Sequence, residues 1–191
     1  FGLHYMISTL VRARHFFKTC SDALETNGSM ICTTVDARVV VSKIMDHPDF
    51  FTFLAKNDDD AKLTLEINDQ CRMIFKNSVL QKLFQKEQNN DLESMFGTEY
   101  TFQLFESFSN AEKEKVVDLP EFLIPLPLIQ MLAKEVGLTM EESSENFHKF
   151  FNSRYEKNEN LLHKMKVADS SGSIPNWKIS YLYRTVVLTK K

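Results

Sequence analysis

Three short segments hold the side chains with which this sequence could do chemistry. Phe1-Gly2-Leu3-His4-Tyr5 gathers two aromatic rings and a histidine within five residues. In Val117 to Leu128, Glu121 stands as a lone carboxylate before an apolar run, with Pro120 and Pro125 holding the chain extended around it. From Trp177 to Leu188, alternation puts Tyr181 and Tyr183 on one face. Rings to stack on, one carboxylate to accept N–H groups and a histidine to donate suit a planar heterocycle such as guanine. Its Watson–Crick edge offers N1–H and N2–H beside O6 and leaves N7 free. Each segment also has a plainer reading: a strand end with ordinary packing, a loop glutamate near a helix start, and tyrosines packed in a core.

The elements that would carry these segments follow an α/β rhythm. Ser8 to Thr26 reads as a helix, capped by Ser8 or Thr9, with Ala13, Phe16, Phe17, Cys20 and Leu24 on one face and Asn27-Gly28 ending it. Ser29 to Val35 is a β-branched, apolar strand, and Asp36 stands where it caps a helix carrying Val40, Val41 and Ile44. The segment Phe1–Tyr5 falls at what would be the C-terminal end of a strand, where ligands of open α/β sheets bind. Residues 46–115 break the rhythm. Leu63, Leu65 and Ile67 alternate, Asn68-Asp69 turns, and Cys71, Met73 and Phe75 alternate again, a hairpin followed by a third strand through Tyr100, Phe102 and Leu104. Polar stretches at 57–60, 86–91 and 110–115 read as loops of this inserted antiparallel sheet. The rhythm resumes with a helix opening near Pro127 and ending at Gly137, a strand from Leu138, helix from Asn146 to Met165, a loop at 170–175, and a closing strand from Ile179 to Leu188.

Composition bounds these readings. With 191 residues, 43% hydrophobic and 26% charged, the chain is suited to one globular domain and excludes a fibrous or disordered class. Cys20, Cys32 and Cys71 have no short paired spacing, which argues against a zinc site or a disulfide framework and for a reducing compartment. The longest apolar run, Phe122 to Ile129, is too short to span a bilayer. From His148 onward nine Lys/Arg face three Asp/Glu, so this part carries +6 and the rest of a −3 chain −9. Such a tail suits either phosphates or a solvated face.

Six landmarks in order give the chain a resemblance to the C-terminal part of the mRNA cap guanine-N7 methyltransferases. They are Phe1-Gly2-Leu3-His4-Tyr5, the Gly28 to Thr34 strand ending in Thr-Thr, Glu121 in Leu-Pro-Glu-Phe-Leu, the Asn146 to Phe151 run, the stretch from Tyr155 to Leu162, and the Trp177 to Tyr183 ending. The match is weakest over 45–96. Val35-Asp36 after the Thr-Thr pair is similar to the pattern of some viral and bifunctional capping enzymes.

The resemblance implies an α/β fold, the C-terminal portion of a Rossmann-like class I S-adenosylmethionine-dependent methyltransferase with a small inserted antiparallel sheet at about 46–115. It implies methyl transfer from S-adenosylmethionine to the guanine N7 of an RNA 5′ cap. His4, Glu121, Tyr183 and Phe1 fall on cap-guanine residues, with Phe102 a further candidate for the aromatic wall. Tyr5 and Phe1 fall beside the methyl donor. No metal and no acid–base residue is implied, because N7 has a lone pair and no proton to lose. The implied partners are capped RNA, S-adenosylmethionine, and either the family's N-terminal half or a complementary chain, since the glycine-rich donor loop and the first strands have no counterpart here. On that reading residues 1–191 are a partial methyltransferase domain, inactive alone, with a nuclear location, or a cytoplasmic one if the source is a virus replicating there. Two other readings stay open: a non-catalytic cap- or RNA-binding partner that stabilises a separate subunit, and methylation of a small molecule on the same fold.

Overall fold

The computed structural model describes residues 2–84, 92–107, 113–142, 144–166 and 177–191. Phe1, the polar stretch 86–91 and the loop 170–175 lie outside the described residues, as does the start of the polar stretch at 110–115. The fold is α/β, with two antiparallel sheets. The first is three-stranded, in the order β1 (Ser29–Val35), β7 (Tyr183–Lys190), β6 (Leu138–Met140). Because β1 and β6 both run antiparallel to β7, they point the same way on either side of a reversed central strand. The second sheet is four-stranded, in the order β2 (Lys62–Asn68), β3 (Cys71–Lys76), β4 (Thr98–Ser107), β5 (Lys113–Leu123).

Local chemistry explains most of the element boundaries. In helix α2 (Leu10–Ala23) the Thr9 side chain accepts the Arg12 N–H, and Leu10, Ala13, Phe17 and Ser21 are buried at helical spacing. Asn27, at φ 67°, and Gly28 then turn the chain into β1. Asp36 accepts the Arg38 N–H and caps α3 (Ala37–Met45). After α4 (Phe50–Leu54), β2 and β3 form the expected hairpin, with Leu63, Leu65, Ile67, Cys71, Met73 and Phe75 all buried. Helix α5 (Asn77–Phe84) covers one end of this sheet. Helix α6 (Leu126–Glu135) starts at Pro125, and α7 (Phe147–Lys164) is one piece, capped by Asn146. No helix among the described residues is long and apolar enough to cross a membrane.

Three expectations change. The Leu3–Met6 segment is a single helical turn, α1, and not a strand end: Gly2, at φ 136°, lets the chain bend, and the Tyr5 N–H closes onto the Gly2 carbonyl at 3.1 Å. The closing strand starts later than Ile179, since Trp177–Ser180 forms the short helix α8 and the Leu182 N–H turns back to Ile179 O. The inserted sheet also runs past 115. Glu121 lies on its edge strand β5, where Pro120, opposite Thr101, can leave its missing N–H on the unpaired side.

The apolar side chains form two cores. One lies under the four-stranded sheet and includes Val40, Phe75, Tyr100, Phe102 and Leu182. The other joins α1, α2 and α6 to β1 and β7 and includes Leu3, Phe17, Ile129 and Leu188. Glu121 comes from the first sheet and His4 from a helix of the second core, so the candidate residues meet at the seam.

Candidate functional site

Glu121 is the centre of the site. The residue is only 3% exposed, yet among the described residues no lysine or arginine is paired with it. Tyr100, its cross-strand partner on β4, donates its hydroxyl to Oε2 at 2.5 Å, and Tyr5 of α1 donates to Oε1 at 3.1 Å. His4 places Nε2 3.5 Å from Oε1. A buried carboxylate costs several kcal/mol unless donors surround it, and here phenols are those donors. The two tyrosines take two of roughly four acceptor positions on the carboxylate, so its oxygens keep capacity for two further N–H groups.

The neighbours are tuned to stay neutral. Burial, and then the charge of Glu121, push the Tyr100 hydroxyl well above its ordinary value, and the same two causes raise Tyr5. Tyr183, at the start of β7, is raised in the same order and interacts electrostatically with both Glu121 and Tyr5. These phenols therefore remain donors at neutral pH. His4 is pulled below 6.5, chiefly by desolvation and against the opposing pull of Glu121. Its Nδ1, the ring nitrogen away from Glu121, is buried without a hydrogen-bond partner among the described residues. Burial pushes the Cys71 thiol, also within electrostatic reach of Glu121, up to about 12, so it is not a nucleophile.

The candidates named from sequence separate clearly. His4, Tyr5 and Glu121 are in contact, and Tyr183 packs against the core that holds Tyr100. Phe102 lies two pairs along β4 from Tyr100 and is buried in the core beneath the site. Tyr181 is elsewhere: it precedes β7, stacks on His148 with ring centroids 4.2 Å apart, and bonds its hydroxyl to His148 Nε2 at 2.8 Å. Sequence reasoning passed over Tyr100. Only strand register puts it opposite Glu121, and that register depends on β5, which Pro120 and Asp118 disguised. Among the described residues no group of histidines, cysteines and carboxylates could hold a metal ion.

The site is thus a buried carboxylate ringed by phenols, at the seam of an α/β fold that joins two sheets. The chain belongs to the mRNA (guanine-N(7))-methyltransferase domain family, whose sequence pattern matches residues 1–191. It is 28% identical to mRNA cap guanine-N(7) methyltransferase 1 of Arabidopsis thaliana and 27% identical to that of Oryza sativa subsp. japonica; both matches cover 100% of this chain and 46% of the relative. The mRNA cap guanine-N(7) methyltransferase of Candida albicans is 23% identical over 88% of the chain and 32% of its own length. The chain thus spans about half, or less, of the relatives it matches. Among solved structures, the CcbJ methyltransferase from Streptomyces caelestis is similar at 10% identity and a TM-score of 0.43, covering 100% of this chain and 58% of that one.

Proposed function

We propose that this chain carries the cap-guanine side of mRNA cap guanine-N7 methyl transfer, with His4, Glu121 and Tyr183 as the guanine-reading residues, Phe1 and Phe102 as further parts of the aromatic wall, and Tyr5 and Phe1 beside the methyl donor. One observation carries the reading: Glu121 is buried and held by two phenols, yet both of its oxygens can still accept. That is the acceptor a guanine N1–H/N2–H edge requires. His4, with Nε2 3.5 Å from the same carboxylate, adds a further polar side chain there.

The chemistry asks little more of these residues. Guanine N7 attacks with a lone pair and has no proton to lose, so alignment and a negative, π-rich surrounding for the charge that develops on the purine supply the rate. S-adenosylmethionine, the family's methyl donor, supplies an electrophilic methyl on sulfur. The described residue that fits beside it is Tyr5, half-exposed and with its hydroxyl anchored on Glu121. The remaining donor contacts come, on this reading, from polypeptide beyond these residues, in the same chain or in a second one. β1 ends its sheet among the described residues, with Ile31 75% exposed, so a further strand has an edge to join. Action on capped transcripts is expected in the nucleus, or in the cytoplasm if the source is a virus replicating there.

The test is titration with the unmethylated dinucleotide cap analogue GpppG, followed by tyrosine and tryptophan fluorescence. Glu121→Gln keeps the shape and loses the anion, so affinity falls by about 10- to 100-fold, the worth of charge-assisted hydrogen bonds. A Glu121→Gln protein with native circular dichroism and unchanged affinity refutes the assignment.

A further inference from the structure

Beside Tyr183 lies a buried charge pair. Arg184 Nη1 and Asp36 Oδ2 are 3.3 Å apart with side chains 5% and 4% exposed, and they are 148 residues apart in sequence. Opposite charges taken out of water stabilise a fold only when their remaining groups are also satisfied. Asp36 Oδ1 accepts the Arg38 N–H at 3.1 Å, and Arg184 Nη2 donates to Ser144 O at 2.9 Å, but Arg184 Nε is buried with no acceptor. A pair with an unsatisfied N–H is poorly optimised for stability, which directs attention to what it holds in place.

It holds the backbone of Tyr183. Val35 pairs with Tyr183 at the last rung of the β1–β7 ladder, and the next residue along is Asp36. The Asp36 N–H donates to Leu182 O at 2.7 Å, and Asn146 Nδ2 donates to Tyr183 O at 3.3 Å. Arg184 also forms a bridge to Asn146, and the Thr185 N–H donates to Glu145 O. Both residues flanking Tyr183 are therefore tied to Asp36, one through its main chain and the other through its carboxylate. Strand alternation sends Arg184 to the face opposite Tyr183, so the pair does not enter the guanine site. The carboxylate that caps α3 is thus the one that fixes the start of β7.

We propose that Asp36 and Arg184 are a positioning pair: they set how far Tyr183 reaches toward Glu121 and thereby the fit of the guanine. This rests on the cap-guanine reading above. Neither residue touches the ligand, and their effect runs through Tyr183 alone.

The experiment uses the full chain with carbon-13-labelled tyrosine. The Tyr183 ring signal is assigned by its loss in Tyr183→Phe, and GpppG affinity is measured in parallel. Asp36→Asn keeps an oxygen for the α3 cap and removes the charge. It is expected to move the Tyr183 signal and weaken GpppG about tenfold, and to add less than about twofold in a Tyr183→Ala background, where the route is gone. If Asp36→Asn does not fold, Arg184→Lys, which keeps the charge and loses the fork to Ser144, is read the same way. An unmoved Tyr183 signal overturns the proposal. So does a loss of affinity that recurs undiminished without the Tyr183 ring, because the pair is then a general brace. A moved signal in a protein whose parent form does not bind GpppG overturns the cap-guanine reading, and with it the guanine role of the pair, while its hold on Tyr183 stands.

Discussion

Replacing Tyr100 by Phe removes one oxygen from the protein and tests the site's central contact. The hydroxyl donates to Glu121 Oε2 at 2.5 Å, and the residues are 1% and 3% exposed, so water cannot take its place. The ring itself stays stacked on Phe75, centroids 5.6 Å apart, and little packing is lost. A hydrogen bond to a charged group is worth about 1.5–3 kcal/mol, and a buried acceptor left bare puts the loss in the upper half, about 2–3 kcal/mol. Tyr5→Phe removes a contact of 3.1 Å from a half-exposed ring that water can reach, and about 1 kcal/mol is expected. Urea unfolding followed by circular dichroism, with an unchanged m-value, measures both, and for a chain of this length the Tyr100 variant melts roughly 4–12 °C lower. GpppG binding weakens as well, because Glu121 is then free to turn. A Tyr100→Phe protein that loses no more stability than Tyr5→Phe, or that binds GpppG like the parent, refutes the claim that Tyr100 anchors the carboxylate.

Two further outcomes follow from the charges. His4 is held below 6.5 in the fold, so below that pH the unfolded chain takes up a proton that the folded chain refuses, and stability falls as pH drops from 6.5 through the depressed value. Tyr100 and Tyr183 are raised above 10, so above pH 10 the unfolded chain loses protons that the folded chain keeps, and stability falls again. Melting temperature measured across pH shows both edges, and His4→Gln removes the His4 share of the acid one. Along α7 and just beyond it, Lys157, Lys164 and Lys166 are exposed, while Lys149 and Arg154 are paired with Glu145. If this face meets RNA phosphates, neutralising the three exposed lysines lowers the salt dependence of RNA binding by filter assay. An unchanged slope assigns them to a solvated face instead.

Why some of this was legible from sequence and some was not is a matter of range. Helix α2, strand β1 and the β2–β3 hairpin are specified by neighbours a few residues apart: Thr9 and Asp36 as caps, Asn27-Gly28 as a stop, and two alternating runs around Asn68-Asp69. Their bounds could be read within three residues. The turn at Leu3–Met6 could not, because four residues have no period, and its helical form depends on burying Leu3 and His4 against distant elements. β5 was hidden for the opposite reason. Its local signal, with Asp118 and Pro120, opposes a strand, and pairing along β4 from Thr98 to Ser107 overrides it. That override is what makes the site. Glu121 looked like a loop carboxylate, and such a group would be hydrated and a poor reader of a base edge. Placed on β5 opposite Tyr100, it loses its water, gains two phenol donors and keeps open acceptor positions. The residue type was visible in the sequence, whereas its selectivity comes from a strand register set by residues about 20 positions away.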